Sequence, residues 1–161
     1  ARAQLEHMGF DPVRIRAVPP PVFTLVRRVV ARDARGRVAT APTSLLLTGP
    51  MDFVVHDLPG DPRVDAVLES ESGRTFLWFA DGYVTASVLE GGVVLLMDQR
   101  YGMTHDRDWS PFQARFTVDG KGRVTSAHVE HGTGDLDVWS EIRECLALST
   151  GRHASLPEPA P

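Results

Sequence analysis

Phe112-Gln113-Ala114-Arg115-Phe116-Thr117-Val118, then Asp119-Gly120-Lys121-Gly122, then Val124-Thr125-Ser126-Ala127-His128-Val129: this stretch decides the fold class. The first run alternates apolar and polar side chains, the period of a strand with one buried face. An aspartate and two glycines follow as turn chemistry, and the chain returns through a second extended run. The unit reads as a β-hairpin, and two more lie upstream. Residues 83–89 and 93–97 flank Glu90-Gly91-Gly92, whose glycines tolerate the positive φ of a tight turn. Before them, a β-branched run over 22–30 meets Asp33-Ala34-Arg35-Gly36 and returns over 38–47. Three hairpins in succession predict a mostly antiparallel, meandering sheet, because parallel neighbours need long crossovers.

Helical signals are fewer. Asp61 before Pro62 supplies a cap and a first-turn proline, and Val64, Val67 and Leu68 follow at helical spacing, which predicts a short central helix. Phe76-Leu77-Trp78-Phe79 fits either a buried strand or a short buried helix. Residues 135–148 set Leu136, Trp139, Ile142, Cys145, Leu146 and Leu148 near one stripe, with Asp135 and Asp137 in the first turn. That pattern predicts a C-terminal helix packed on the sheet. The fold class is α+β. The 161 residues suffice for one core. The expected organisation is a helix end or linker over 1–10, a single soluble domain over 11–150 and a disordered, proline-rich tail over 151–161.

Composition excludes several function classes. Seventeen Lys+Arg against twenty-one Asp+Glu leave a net charge of −4, against the basic excess of a nucleic-acid module. No apolar run approaches the roughly 20 residues of a membrane span. Cys145 is the single cysteine, so there is no internal disulfide and no cysteine-based metal cluster.

Candidate chemistry is sparse. His128-Val129-Glu130-His131 holds the one close histidine pair. On a strand, His128 and Glu130 share a face and His131 takes the other, so a metal site needs a bend and a further ligand. The leading reading is the exposed end of a hairpin strand. The alternative is a self-sufficient metal-dependent hydrolase using His128, Glu130 and His131. His105-Asp106-Arg107-Asp108 reads as a solvated loop, and Asp57, Asp61 and Asp65 lack the glycine and terminal glutamate of a calcium loop. No serine sits in G-x-S-x-G, and Cys145 lies on an apolar stripe. Gly91-Gly92 and Gly120-Lys121-Gly122 join hairpin strands, so they are turns and not phosphate loops.

Asp98-Gln99-Arg100-Tyr101-Gly102 follows the apolar run 93–97 directly. If the strand continues, Asp98 and Arg100 share a face and pair, and Gly102 lets the chain turn. An ion pair anchoring a strand end is favoured over a binding site. Arg28 and Arg32 share one strand face while Arg27 and Arg35 share the other, so no single arginine-lined pocket is expected. Trp78, Phe79, Tyr83 and Phe116 are expected in the core.

Four segments in this order resemble the soluble C-terminal region of the bacterial membrane-bound metal-dependent hydrolases, described as LexA-binding inner-membrane-associated hydrolases. They are Val18-Pro19-Pro20 leading to Leu25-Val26-Arg27-Arg28-Val29-Val30, Phe76-Leu77-Trp78-Phe79 with Asp81-Gly82-Tyr83, Asp98-Gln99-Arg100-Tyr101-Gly102, and Pro111-Phe112-Gln113-Ala114-Arg115-Phe116. The family reads roughly Trp-Arg-Val-Val, Trp-Phe-x-x-Gly-Tyr/Phe-Tyr, Asp-Leu-Arg-Tyr/Met-Gly and Phe-x-Phe at these places. Arg27 stands where it tends to show Trp, and Gln99 where it tends to show Leu. The resemblance covers residues 12–119. It implies a parent whose membrane-embedded N-terminal part carries a divalent-metal site, with 1–10 as the membrane-proximal helix end or linker. The domain itself is then non-catalytic and regulatory, structural or partner-binding, on the cytoplasmic side of the membrane, with no cofactor of its own. Asp98, Arg100, Tyr101, Gly102, Trp78 and Tyr83 are its structural or docking candidates. A small-ligand or lipid-binding sheet domain is the other alternative.

Overall fold

A computed structural model of the chain describes residues 1–19, 26–44, 49–102 and 110–131. The strands form two four-stranded antiparallel meanders where a single sheet was expected. The first contains β1 (Pro12–Val18), β2 (Val26–Asp33), β3 (Val38–Ser44) and β4 (Val54–His56), preceded by a short helix, α1 (Arg2–His7). The second contains β5 (Val84–Leu89), β6 (Val93–Asp98), β7 (Phe112–Val118) and β8 (Val124–His131). Two consecutive helices separate the sheets, the short central α2 (Pro62–Glu69) and α3 (Glu71–Phe79), the latter resolving as a helix the segment that fitted either a strand or a helix. The break comes at Ser70, whose backbone is extended. Its hydroxyl donates to the Val67 carbonyl at 2.7 Å and accepts the Gly73 N–H at 3.0 Å, closing one helix and opening the next. Gly73 is dictated by contact: a Cβ there would lie 1.8 Å from the Val67 oxygen. The residues 22–25 and 45–47 of the first expected hairpin, the loop 105–108, the expected helix over 135–148 and the tail 151–161 lie outside the described residues.

The decisive hairpin closes through one carboxylate. Asp119 Oδ1 accepts the N–H of Lys121 and of Arg123 at 2.9 Å each, and Oδ2 accepts from Arg123 Nη2 at 2.8 Å. Gly122 takes φ +75°, the left-handed residue of a three-residue hairpin loop. The β2–β3 turn repeats this design over Asp33-Ala34-Arg35-Gly36-Arg37. Asp33 Oδ1 accepts the Arg35 and Arg37 N–H groups at 2.9 Å, Oδ2 accepts from Arg37 Nε at 2.6 Å, and Gly36 has φ +81°.

Each sheet has its own core. In the first, Val29, Ala31, Ala39 and Ala41 are buried against Leu5 of α1 and against Phe10 and Phe53. In the second, Val84, Val94, Leu96, Ala114 and Phe116 lie under Val64 and Val67 of α2 and Phe76 of α3. Asp61 caps α2 by accepting the Arg63 N–H at 2.9 Å, so the first sequence-read helix start is where α2 begins. Among the described residues, no helix is long and apolar enough to cross a membrane.

Candidate functional site

The second face of the first sheet carries arginines beside the buried Val30 and Val38, and it meets the end of α3. That helix ends in a paired cap: the Asp81 N–H donates to the Trp78 carbonyl at 3.1 Å and the Gly82 N–H to the Leu77 carbonyl at 2.9 Å. This geometry puts Asp81, a non-glycine, at φ +52°. Its carboxylate reaches across to β1. Arg14 Nη1 donates to Oδ1 at 2.7 Å, and Arg16 Nη2 lies 2.6 Å from Oδ2 as a charge contact without hydrogen-bond alignment. The strand register adds more cations, because Arg14 stands directly opposite Arg32, and Arg28 opposite Val18. Four arginines of β1 and β2 therefore share one face. The expectation of Arg28 and Arg32 on one face of β2 holds, and β1 adds Arg14 and Arg16 to that face.

Arg28 is nearly buried and donates from Nη2 to Gln99 Oε1 at 2.8 Å. Gln99 is fully buried; its Nε2 donates to Thr85 Oγ1 and its backbone N–H to the Tyr83 carbonyl, both at 2.8 Å. The Gln99 side chain is thus the acceptor for a buried guanidinium. Arg32 crosses Gly82, its Nη1 3.3 Å from where a Cβ would sit. Beneath lies Tyr83, fully buried, with a hydroxyl that has no hydrogen-bond partner. Burial pushes the Tyr83 phenol up; Arg16, Arg14 and Arg32 pull it down and Asp81 pushes it up, with burial prevailing.

Asp98 and Arg100 pair, though not by continuing the strand. Strand β6 ends at Asp98, and Arg100 turns back so that its N–H and Nε donate to Oδ1, each at 3.0 Å, and Nη2 to Oδ2 at 2.6 Å. Nη2 also donates to the Phe79 carbonyl at 2.7 Å, and the guanidinium lies over the Phe79 and Tyr101 rings at 5.4 and 5.3 Å. The hydrogen bond to Asp98 raises the Arg100 pKa against the effect of desolvation. The Tyr101 ring meets Phe112 edge-on at 5.1 Å, and Gly102 follows half-buried. The Asp98–Arg100 pair holds the end of α3 to the second sheet through the Phe79 carbonyl.

The other candidates do not converge. His128 stands opposite Arg115 on β7, and Glu130 pairs with Arg115 at 2.8 Å. His131 is the last residue of β8, and its side chain lies outside the described ones. No group of three metal-ligating side chains occurs among the described residues. The expected core is half right. Tyr83 and Phe116 are buried, but Trp78 is 82% exposed and Phe79 partly so. Helix α3 turns Phe76 inward, which leaves Trp78 on its outer face. Trp78 stands at the rim of an apolar groove of about 520 Å³ between α3 and the sheet edge, lined by Phe79, Phe112, Phe116, Ala127 and Val129.

Sequence reasoning missed Arg14 and Arg16. The available signal was Arg-x-Arg within an extended run, antiparallel to a strand carrying Arg28 and Arg32 on one face. Comparison with protein-family models, with curated proteins and with solved structures finds no match to this chain.

Proposed function

We propose that the chain is a non-catalytic soluble domain of a membrane-bound metal-dependent hydrolase, structural or regulatory, joined through 1–10 to a membrane-embedded catalytic part on the cytoplasmic side. One observation carries the reading: the four segments of the resemblance touch one another. Arg28 of the first donates to Gln99 of the third, and Gln99 donates to the Tyr83 carbonyl of the second. Arg100 of the third donates to Phe79 of the second, and Phe112 of the fourth packs on Phe79 and Tyr101. Short motifs far apart in the chain are explained together if they are one packing unit. Asp98, fully buried, is paired with Arg100. Metal-activated water, the chemistry implied for the parent, then belongs to the part outside this chain. Elemental mass spectrometry of the natively purified chain tests this. A metal content near zero is expected. About one zinc or manganese per chain overturns the reading and makes His128, Glu130 and His131 the first residues to replace.

The reading includes the C-terminal helix over 135–148 and gives it a seat. Strand β8 pairs Val129 with Ala114 and Ala127 with Phe116, so the apolar core face continues onto β8, yet Val129 is 75% exposed. Residues 132–134, two of them glycine, follow β8 in sequence, and the stripe of Leu136, Trp139, Ile142 and Cys145 comes next. The proposal commits the groove to this segment. Hydrogen exchange is expected to show 135–148 protected in the native chain and deprotected by Ala127→Glu. An unprotected segment that becomes ordered only when a fatty acid is added overturns this and makes the groove a lipid site.

A further inference from the structure

With the groove assigned to the chain itself, the arginine face remains. We infer that Arg14, Arg16 and Arg32, around Asp81 and above Tyr83, form a binding site for a phosphate monoester group. The inference does not depend on the parent hydrolase.

Three features point to an anion. The first is charge. Arg14 and Arg16 share the single carboxylate of Asp81, and Arg32 makes no hydrogen bond or ion pair among the described residues, so two positive charges stand uncompensated. They do so on a chain of net charge −4, where a local cationic excess is against the average. The second is unmet hydrogen bonding. The Arg32 Nε and the Tyr83 hydroxyl are buried and have no partner. A buried donor without an acceptor is costly, and an oxyanion brought into the site would offset that cost. The third is access. Arg14 and Arg16 side chains are 46% and 41% exposed, so they close the site from the solvent side with long chains that can move. Arg28 is engaged with Gln99, and Arg100 with Asp98, and neither belongs to the site.

The charge selects the ligand class. A phosphate monoester carries about −1.5 to −2 at neutral pH, with oxygens that take bidentate contacts from guanidinium forks. A carboxylate would match only one of the two uncompensated charges. Free phosphate and a phosphatidic acid headgroup offer the same chemistry, and the experiment separates them.

The test is calorimetric titration of the full chain at fixed ionic strength, with inorganic phosphate in one arm. The other arm is sedimentation with vesicles of phosphatidylcholine with and without phosphatidic acid. Saturable binding in at least one arm is expected. Arg32→Gln should weaken it about tenfold, and Tyr83→Phe, which keeps the ring, about threefold or more. Asp81→Asn keeps a side chain that tolerates the left-handed backbone and removes the competing carboxylate, so it should tighten binding about tenfold. A purely structural Asp81 gives no such gain. Arg123→Gln, on the far turn, should leave binding unchanged. Binding to vesicles alone assigns the headgroup, and binding to phosphate assigns the free group. No saturable binding in either arm overturns the inference, as does an Arg123→Gln loss equal to that of Arg32→Gln.

Discussion

The two sheets share a hairpin design and differ in what they bury. Asp33-x-x-Gly36-Arg37 and Asp119-x-x-Gly122-Arg123 close β2–β3 and β7–β8 with the same hydrogen bonds and the same left-handed glycine. Around them the chemistry diverges. The second sheet spends one face on an apolar core under two helices. The first has an apolar core on one face and aims arginines from the other at the end of α3. Turn chemistry sets pairing and register; the residues on each face set what the sheet meets. Even the shared turn changes value with its setting. Asp33 is buried, and Arg37 also lies 5.2 Å from the Phe10 ring, whereas Arg123 is 71% exposed.

The largest expected effect tests whether the two cores form one cooperative unit. Phe116→Ala empties a nearly fully buried site and is expected to cost about 3–5 kcal/mol in urea unfolding. The buried link from Arg28 through Gln99 to Thr85 predicts that probes in both sheets report a single transition. Two separate transitions would make the sheets independent domains. Next comes the junction. Arg100→Ala leaves the fully buried Asp98 without its cation and is expected to cost about 3 kcal/mol, while Arg115→Ala, from an exposed pair with Glu130, should cost less than about 1 kcal/mol. Equal losses would mean that Asp98–Arg100 is no anchor.

How much of this was readable differs by region for physical reasons. The hairpins of the second sheet could be read directly, since alternation in 112–118 and glycines at 91 and 122 are local signals. Strand β1 could not. It begins at a proline and carries Arg14 and Arg16 between Val13, Ile15 and Ala17, and only its pairing with β2 shows what the arginines face. The three-residue β4 is too short to show a period. Helix α3 was ambiguous because four apolar residues in a row hide which of them faces inward, and only packing put Phe76 in and Trp78 out. Within the site, the Asp98–Arg100 pair is local and was foreseen, though as a strand pair and not a turn. The arginine face is a product of register between distant strands, and no window of sequence contains it.

A smaller effect sharpens the contrast where the regions touch. Gly82→Ala puts a Cβ at φ +74° and 3.3 Å from Arg32, an expected loss of about 1–2 kcal/mol. Gly120→Ala meets nothing within 4 Å and should lose less than half of that. If the two glycines respond alike, the approach of Arg32 to the cap is not tight.

The smallest effect compares the twin turns by pH. Burial of Asp33 works to raise its pKa, but the Arg37 guanidinium and the N–H groups of Arg37 and Arg35 outweigh it, and the carboxyl ends below its usual 3.8. Asp119 also ends below 3.8, chiefly through the Arg123 N–H and then its guanidinium, with burial opposing. Both are lowered on folding, so each contributes stability that is fully present above the unfolded value and is lost as pH falls through the folded one. Unfolding temperatures of the native chain and of Asp33→Asn and Asp119→Asn should therefore differ by a constant amount above about pH 5 and converge below about pH 3. The Asp33 gap should be the larger, because its partner is held by buried neighbours and less open to solvent than Arg123. A gap that stays constant down to pH 2 would mean that these turns are held by geometry alone, with the charge on the aspartate contributing nothing.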